Sequence, residues 1–159
     1  QYIRAGQWRS SDQPMQIVSG AIGREIIHYE APPSSKVPQE MTQFFHWYHH
    51  KSQQMAAPVK SAIAHLYFES IHPFEDGNGR IGRAISEKVL SEGLGRPIFL
   101  SLSKVIEADR NSYYEALKTA QRSNEITAWI QYFLQVILQS QEQTTTQIQF
   151  SLEKTQFFD

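Results

Sequence analysis

Apolar residues recur every three or four positions from residue 38 onward, which is the spacing of amphipathic helices. The pattern predicts a mainly α fold built from five helices. Pro58 suits the first turn of the second helix, and Gly93 suits the end of the third. The predicted helices cover residues 38–54, 57–71, 79–93 and about 103–122, and a last stretch that Asn124 caps. In the third helix the spacing points four side chains inward, those of Ile81, Ala84, Ile85 and Val89.

The first 38 residues follow a different pattern. Two short β-prone runs, MQIV at 15–18 and EIIHY at 25–29, flank a glycine-containing stretch, and this arrangement predicts a β-hairpin. The prolines of APPSSKVP then enforce an extended chain. We therefore divide the chain into an N-terminal segment with the hairpin (1–38), a helical core (39–140) and a more polar helical extension (141–159). We expect the extension to lead toward a further domain.

Composition narrows the class of protein. The chain has 159 residues with 15 Lys and Arg against 16 Asp and Glu, a balance that argues against direct nucleic-acid binding. Cysteine is absent, which excludes disulfides, iron–sulfur clusters and cysteine-based zinc sites. No apolar run approaches the ~20 residues that span a membrane, and the first residues do not form a signal peptide. We therefore expect a cytoplasmic domain with no membrane partner.

Candidate chemistry concentrates in one stretch, HPFEDGNGRIGR, which runs from His72 to Arg83. Its glycines spell G-x-G-x-x-G, but the dinucleotide-binding form of that pattern follows a β-strand, whereas a helical pattern precedes this one. The start of an EF-hand loop is also similar, yet Arg80 and Ile81 stand where a ligand and the turn glycine belong. A plain surface loop explains the glycines but leaves the charged residues without a reason.

The residue types of this stretch fit a site for a nucleoside triphosphate, a metal ion and a hydroxyl group. Glycines let backbone N–H groups approach phosphates at a helix N-terminus. Arg80 and Arg83 are three positions apart, so both can reach one side of that helix and bind phosphates. Asp76 supplies a hard oxygen for Mg²⁺, which also takes phosphate oxygens and water. His72 suits a general base, because a histidine ordinarily titrates near neutrality.

The same stretch resembles the motif of the Fic family, H-x-F-x-[D/E]-G-N-G-R-x-x-R, at every fixed position. Three further segments carry the resemblance, which covers nearly all of the chain: IHYEAPP, RNSYYEAL at 110–117 and EITAWIQYFL. The resemblance implies a Fic-type helical core with a small N-terminal β-hairpin flap. It also implies a protein adenylyltransferase, which transfers AMP from ATP to a Tyr, Thr or Ser hydroxyl of a target protein and releases pyrophosphate.

The resemblance also assigns a role to each motif position. His72 would take the proton of the target hydroxyl, and Asp76 would bind Mg²⁺. The phosphates of ATP would be held by Gly77, Asn78, Gly79 and Arg80, with Arg83 on the distal ones. Phe74 would anchor the loop in the core. The flap would clamp a segment of the target protein by strand pairing.

Other functions share the resemblance. Doc-type kinases of the same superfamily read Ala-Asn-Lys where this chain has Gly77-Asn78-Gly79, and this departure favours AMP transfer over phosphate transfer. A de-AMPylase would remove AMP from a modified protein with the help of a glutamate that positions water, and no suitable glutamate stands out. A binding or regulatory module with little catalysis would have no need of His72.

The resemblance raises the question of inhibition. Many Fic proteins carry an inhibitory helix with the pattern [S/T]-x-x-x-E-[G/N], whose glutamate pairs with the second arginine of the motif, here Arg83. Glu92 is the one glutamate followed by glycine or asparagine, and Lys88 stands where the pattern needs Ser or Thr. Because the chain lacks a starting Met, we expect an inhibitory segment upstream of Gln1.

Three side chains outside the motif are candidates for the core or the site. His65 lies among apolar residues, which favours a histidine buried in the core. Tyr113 and Tyr114 could border the adenine of ATP, but they could equally pack in the core.

Overall fold

The computed structural model describes residues 6–19, 24 and 26–158. Within these residues a two-stranded antiparallel hairpin is followed by six α-helices, so the predicted mainly α fold with an N-terminal hairpin is confirmed. The strands are β1 (Gln16–Ser19) and β2 (Ile26–Glu30). The helices are α1 (Val37–His46), α2 (Ala57–Ile71), α3 (Asn78–Leu94), α4 (Leu102–Ala108), α5 (Arg110–Gln121) and α6 (Thr127–Phe158).

The hairpin is attached to the end of α2. Ile17 pairs with Tyr29 and Val18 pairs with Ile27, so the residue between Ile27 and Tyr29 is a bulge in β2. A bulge bends the strand and increases its twist. The Tyr29 hydroxyl donates to the Ser70 carbonyl at 3.2 Å, which fixes β2 to the last turn of α2. The glycine-containing loop between the strands, at 20–23 and 25, lies outside the described residues.

Helix α2 is the centre of the bundle. Toward α1 and α3 it packs in a cluster that contains Phe44 and Phe68. Toward α4, α5 and α6 it packs in a second cluster, which contains Leu102, Trp129 and Phe133. Because α2 has a core on either side, its sequence carries the wide apolar stripe that predicted a buried helix.

The prediction of which side chains of α3 point inward is confirmed for the second half of the helix and wrong for the first half. Val89 is buried and Ile85 packs against the cluster formed with α1 and α2. Ile81, however, is 36% exposed, and Ala84 is exposed as well. The buried positions of this half of the helix are Asn78, Gly82 and Ser86.

Glycines bring α3 against α2. A Cβ atom on Gly82 would lie 2.5 Å from Glu69 Oε1, and one on Gly93 would lie 2.2 Å from the Cβ atom of Ala57. The two helices therefore approach more closely than larger residues allow, and size rather than hydrophobicity selects the inward face. Gly93 does not end the helix as predicted, because α3 continues to Leu94 and Gly95 takes the left-handed φ of 63° that caps it.

The predicted helix 103–122 is divided in two at Asp109. This residue leaves the helical conformation, with φ −140° and ψ 66°, and its Oδ1 atom accepts from the backbone N–H of Ser112 at 3.1 Å. The Asp109 side chain thereby caps α5. Its hydrogen bond to the backbone takes the place of the bonding that a continuous helix would have at this point. Similarly, Glu125 accepts from the N–H of Thr127 at 2.6 Å, so α6 begins there rather than directly after Asn124.

Helix α6 runs from Thr127 to Phe158 and crosses the predicted boundary between 39–140 and 141–159 without a break. Its first part packs in the core, and its second part is largely exposed. Within the described residues, none of the helices combines the length and the apolar content of a membrane span.

Candidate active site

His72 is the first residue beyond α2, and its backbone is left-handed, with φ 50° and ψ 59°. Its N–H group donates to the Phe68 carbonyl at 3.0 Å and closes the last turn of the helix. Among the residues that the structure describes, it is the only non-glycine residue with a positive φ. Such a conformation costs about 1–2 kcal/mol, so the surrounding structure must hold it.

The imidazole of His72 is 17% exposed and lies beside a carboxyl group. Glu69 Oε2 lies 3.7 Å from His72 Nδ1, and the backbone carbonyl of Glu69 also faces the ring. Burial lowers the pKa of His72 to about 4, the carbonyl of Glu69 opposes this shift, and the charge of Arg9 adds to it. The ring is therefore neutral at physiological pH. Nδ1 makes no hydrogen bond within the described residues, and its nearest carboxyl oxygen is Glu69 Oε2. In the tautomer that carries the proton on Nδ1, Nε2 is able to accept one.

Glu69 is a buried acid, 3% exposed, on the side of α2 that meets α3. Burial raises its pKa to about 7, although the positive charge of Arg83 opposes the shift. Its Oε1 atom has no hydrogen-bond partner among the described residues. The motif does not include this residue, although a glutamate three positions before His72 in an apolar stripe is a signal that could identify it.

A tight loop joins the end of α2 to the start of α3, and Asn78 closes it. The Asn78 Oδ1 atom accepts from the N–H of Phe74 at 2.9 Å, and its Nδ2 atom donates to the Phe74 carbonyl at 2.8 Å. The Asn78 side chain is 2% exposed. Both of its polar atoms are therefore engaged within the loop, so a phosphate contact from Asn78 would have to come from its backbone.

The N-terminus of α3 is open to the site. Gly77 precedes the helix with a φ of 86°, a left-handed value that favours glycine. A Cβ atom on Gly77 would lie 3.3 Å from the Arg80 guanidinium, and one on Gly79 would lie 3.2 Å from that of Arg83. The absence of side chains thus lets both arginines fold back over the first turn. The backbone N–H groups of the first helical turn and the two guanidiniums favour negative charge at this end of the helix.

Asp76 and Arg80 pair with each other at the surface. The Asp76 Oδ2 atom lies 3.1 Å from Arg80 Nη2, and Oδ1 accepts from the N–H of Gly77 at 2.7 Å. Both side chains are more than half exposed. The predicted metal ligand and a predicted phosphate ligand are therefore adjacent and accessible.

Arg83 has no carboxylate partner among the described residues. Its buried Nε atom makes no hydrogen bond there either. Glu92, the one glutamate with a trace of the inhibitory pattern, instead accepts from the Tyr48 hydroxyl at 2.9 Å and pairs with Lys88. Within the described residues, Arg83 is therefore available for an anion.

The donor set around Asp76 is compatible with one kind of metal site. No group of three His, Cys, Asp or Glu side chains in the described part of the chain could enclose a metal ion. Mg²⁺, however, commonly binds through one or two carboxylates together with phosphate oxygens and water. The exposed Asp76 carboxylate beside the N-terminus of α3 fits that mode.

These groups meet at one cavity of about 380 Å³ between the hairpin and the loop. His72 and Asp76 line it from the loop, and the start of α3 lines it as far as Arg80. On the opposite side it is bordered by β1 and Met15. Of the residues predicted to form the site, Arg83 is the only one not in the lining. The flap predicted from the sequence thus borders the same space as the motif.

His65, Tyr113 and Tyr114 lie in or against the core. His65 is buried, with Nε2 2.9 Å from the Tyr113 hydroxyl and Nδ1 3.3 Å from Ser86 Oγ, which confirms a core histidine. Tyr113 is 5% exposed and belongs to the core, so the alternative that it borders the adenine is wrong. Tyr114 packs against the same core and is partly buried.

Comparison with known proteins agrees with this geometry. The model of the Fic/DOC family matches residues 1–90. The chain is 33% identical over 93 residues to a protein of Aquifex aeolicus named "Probable protein adenylyltransferase", covering 58% of this chain and 27% of that protein. It is 27% identical over 144 residues to the protein adenylyltransferase Fic of Nematostella vectensis, covering 89% of this chain and 29% of that protein.

Solved structures show the same relationship. The crystal structure of a Fic family protein from Desulfovibrio desulfuricans matches 91% of this chain and 42% of its own length, with a TM-score of 0.75 and 26% identity. The chain spans less than a third of the length of the two curated relatives. The family model covers more than half of the chain, and the motif, the hairpin and the helical core agree with it: this chain belongs to the Fic/DOC family.

Proposed function

We propose that the domain transfers AMP from ATP to a Tyr, Thr or Ser hydroxyl of a target protein and releases pyrophosphate. The single observation that carries the proposal is the shared cavity, in which an imidazole, a carboxylate, an anion-binding helix end and a strand of the flap face one space. The names of the relatives from Aquifex aeolicus and Nematostella vectensis support the same activity.

The phosphates would bind at the start of α3. The backbone N–H groups of Asn78 and Gly79 would supply neutral donors, and that of Gly77 would do so after it releases Asp76 Oδ1. Arg80 and Arg83 would supply charge along the chain of phosphates. This arrangement places negative charge at the positive end of a 17-residue helix. The pairing of Arg80 with Asp76 is exposed and weak, so a triphosphate can displace it.

The transfer step needs a base and a stabilised leaving group. The target hydroxyl oxygen would attack the α-phosphorus, the bond from that phosphorus to the bridging oxygen would break, and pyrophosphate would leave. His72 would accept the hydroxyl proton at Nε2, since its ring is neutral before the reaction. The arginines would stabilise the charge that moves onto the leaving pyrophosphate.

Asp76 would hold Mg²⁺ against the phosphates. The chemistry that such an ion supplies is neutralisation of the triphosphate during attack. Asp76 fits this role because it is accessible and stands one residue before the anion-binding helix end.

The target segment would be presented by the hairpin. β1 lines the cavity and Val18 is 43% exposed, so the strand is accessible from solvent. An extended peptide that adds to a strand edge gains main-chain hydrogen bonds and places alternate side chains toward the site. A hydroxyl residue held in this way would reach the space beside His72.

Isotope labelling tests the proposal. The domain is incubated with a protein substrate, Mg²⁺ and ATP that carries the label on either the α- or the γ-phosphate. We expect covalent labelling from α-labelled ATP alone and release of one pyrophosphate per label. Labelling from γ-labelled ATP would show a kinase instead. Release of AMP from a pre-modified protein, without forward transfer, would show a de-AMPylase.

A further inference from the structure

The last carbonyl groups of α2 and of the loop beyond it are bonded from the N-terminal segment. Helix ends leave such carbonyls without partners inside the helix. Here the Tyr29 hydroxyl donates to the carbonyl of Ser70, and Arg9 side-chain donors reach the carbonyls of Ile71 and His72. One residue before the hairpin and one in β2 therefore bond the end of α2.

Arg9 makes most of these contacts. Its Nε atom donates to the His72 carbonyl at 2.8 Å, its Nη2 atom donates to the Ile71 carbonyl at 3.3 Å, and its backbone N–H donates to the Pro73 carbonyl at 2.8 Å. The same Nη2 atom also donates to the carbonyl of Pro32, two residues beyond β2. One side chain thus joins the base of the hairpin to the two peptide groups that flank the Cα atom of His72.

The bonding of Arg9 is unusual for a buried cation. The residue is 4% exposed, yet no carboxylate of the described residues pairs with it. Its charge is balanced by carbonyl dipoles at the negative end of α2. A planar guanidinium can bond several carbonyls in fixed directions, which the single ammonium of a lysine cannot do. The side chain is therefore suited to fix a backbone conformation.

The conformation that needs fixing is that of His72. Its left-handed backbone is unfavourable for a residue with a Cβ atom, and the ring direction depends on it. We propose that Arg9 is a positioning residue that holds His72 in this conformation and couples it to the base of the flap. The inference rests on the proposed role of His72 as the base. Arg9 does not touch the reacting atoms and acts through the backbone of His72.

Three variants test the inference. Arg9→Met keeps the length of the apolar stem but removes every donor and the charge, and Arg9→Lys keeps the charge but not the fork. Trp129→Phe is the matched control, since it removes another buried side-chain donor to an α2 carbonyl, that of Ala62 at 2.8 Å, in the middle of the helix. Each variant is compared with wild type for kcat, the Kd of ATP, the Tm and the NMR titration of the His72 ring.

We expect Arg9→Met to lower kcat by about 10²-fold, the loss that a displacement of about 1 Å can cause, with the Kd of ATP changed less than about threefold. We expect Arg9→Lys to restore part of kcat. The charge of Arg9 and the carboxyl and carbonyl groups of Glu69 face His72, so removal of the charge should raise the pKa of His72 in Arg9→Met but not in Arg9→Lys. Trp129→Phe should lower the Tm without either change.

Wild-type kcat in Arg9→Met, or a kcat loss in Trp129→Phe equal to that in Arg9→Met, would overturn the inference. If Arg9→Met does not fold, Arg9→Lys tests the inference instead. A wild-type kcat together with wild-type chemical shifts of the His72 ring in Arg9→Lys would show that the guanidinium is not needed. A wild-type domain without AMP transfer would refute the proposed function alone. In that case unchanged His72 chemical shifts in the Arg9 variants would still overturn the positioning role.

Discussion

Glu69 Oε2 lies 3.7 Å from Nδ1 of His72, a residue at the wall of the cavity, and yet the two groups do not form an ion pair near pH 6. Burial raises the pKa of Glu69 to about 7 and lowers the pKa of His72 to about 4, so each is held in its neutral form. Burial thus opposes charge on both groups, although opposite charges would attract each other.

This relationship predicts a pH-dependent stability. The folded-state pKa of Glu69 lies above its ordinary value of 4.5, so folding is favoured by the bound proton. The contribution is fully present below about pH 4.5 and is lost as the pH rises through about 7. Glu69→Gln keeps a neutral polar group and should avoid that loss. We expect its Tm to exceed that of wild type at pH 8 and to equal it near pH 5.

Thermal unfolding at both pH values, with Glu142→Gln as a control on the exposed part of α6, checks this expectation. The control should shift the Tm equally at the two pH values. A Glu69→Gln variant that is less stable than wild type at pH 8 would mean that the ionised carboxylate stabilises the fold.

The neutral state of His72 predicts the pH dependence of activity. Since its pKa is about 4, the fraction of unprotonated base is constant above about pH 5.5. In Glu69→Gln the neighbouring carboxyl no longer titrates. Protonation of His72 should therefore cause no change in kcat/KM of this variant between pH 5.5 and pH 8. An acid limb with an apparent pKa near 6.5 in this variant would show that His72 is not desolvated in the working enzyme.

Gly82 predicts a second stability effect. A Cβ atom there would approach Glu69 Oε1 to 2.5 Å and the His65 ring to 3.3 Å, and both neighbours are buried. Gly82→Ala should therefore destabilise the domain by about 1–3 kcal/mol despite the higher helix propensity of alanine. Urea unfolding measures the change, and Ala84→Gln on the exposed side of the same helix is the control. Unchanged stability of Gly82→Ala would show that the two helices can separate at little cost.

Asp76 predicts a loss of function without a loss of stability. Its pairing with Arg80 is exposed, and such pairs contribute about 1 kcal/mol or less. Asp76→Asn should keep the Tm within a few degrees and abolish Mg²⁺-dependent transfer, because the amide lacks the charge that binds the metal. Titration of activity with Mg²⁺ measures this effect. Full activity in excess chelator, in wild type or variant, would contradict a metal role for Asp76.

Val18 on β1 predicts how the target binds. A proline at this exposed position removes a backbone donor of the strand that lines the cavity. Val18→Pro should therefore weaken the modification of a target protein by more than it weakens ATP binding, while Val18→Ala should preserve both. Equal losses of target modification and ATP binding in Val18→Pro would indicate a misfolded domain.

The sequence predicted the elements of the fold better than their contacts. Helices were found from their apolar spacing, because burial of one face requires that spacing. The inward face of α3 was misplaced at Ile81 and Ala84, since a packing surface made by Gly82 and Ser86 leaves no apolar signal. The break at Asp109 was missed for a related reason, because one side-chain cap stops a helix that the apolar pattern continues.

For the site, the motif identified the chemical groups but not the hydrogen bonds that hold them in place. His72, Asp76 and the start of α3 do border one cavity, and their individual roles stay predictions. The Asn78 side chain turned out to bond Phe74, which a pattern of residue types does not reveal. Arg9 lies 63 positions before His72, so nothing in the local sequence could join the two.

The glycine contact between α2 and α3 has a consequence for engineering. His72, the proposed base, stands at the end of α2, and the proposed anion site lies at the start of α3. Between the two helices Gly82 packs against Glu69 and Gly93 packs against Ala57, which leaves little room for one helix to shift against the other. The hairpin takes no part in that contact. New target proteins should therefore be accommodated by redesigning the exposed faces of β1 and β2 alone, with Arg9, Tyr29 and Pro32 kept as the attachment points of a grafted hairpin.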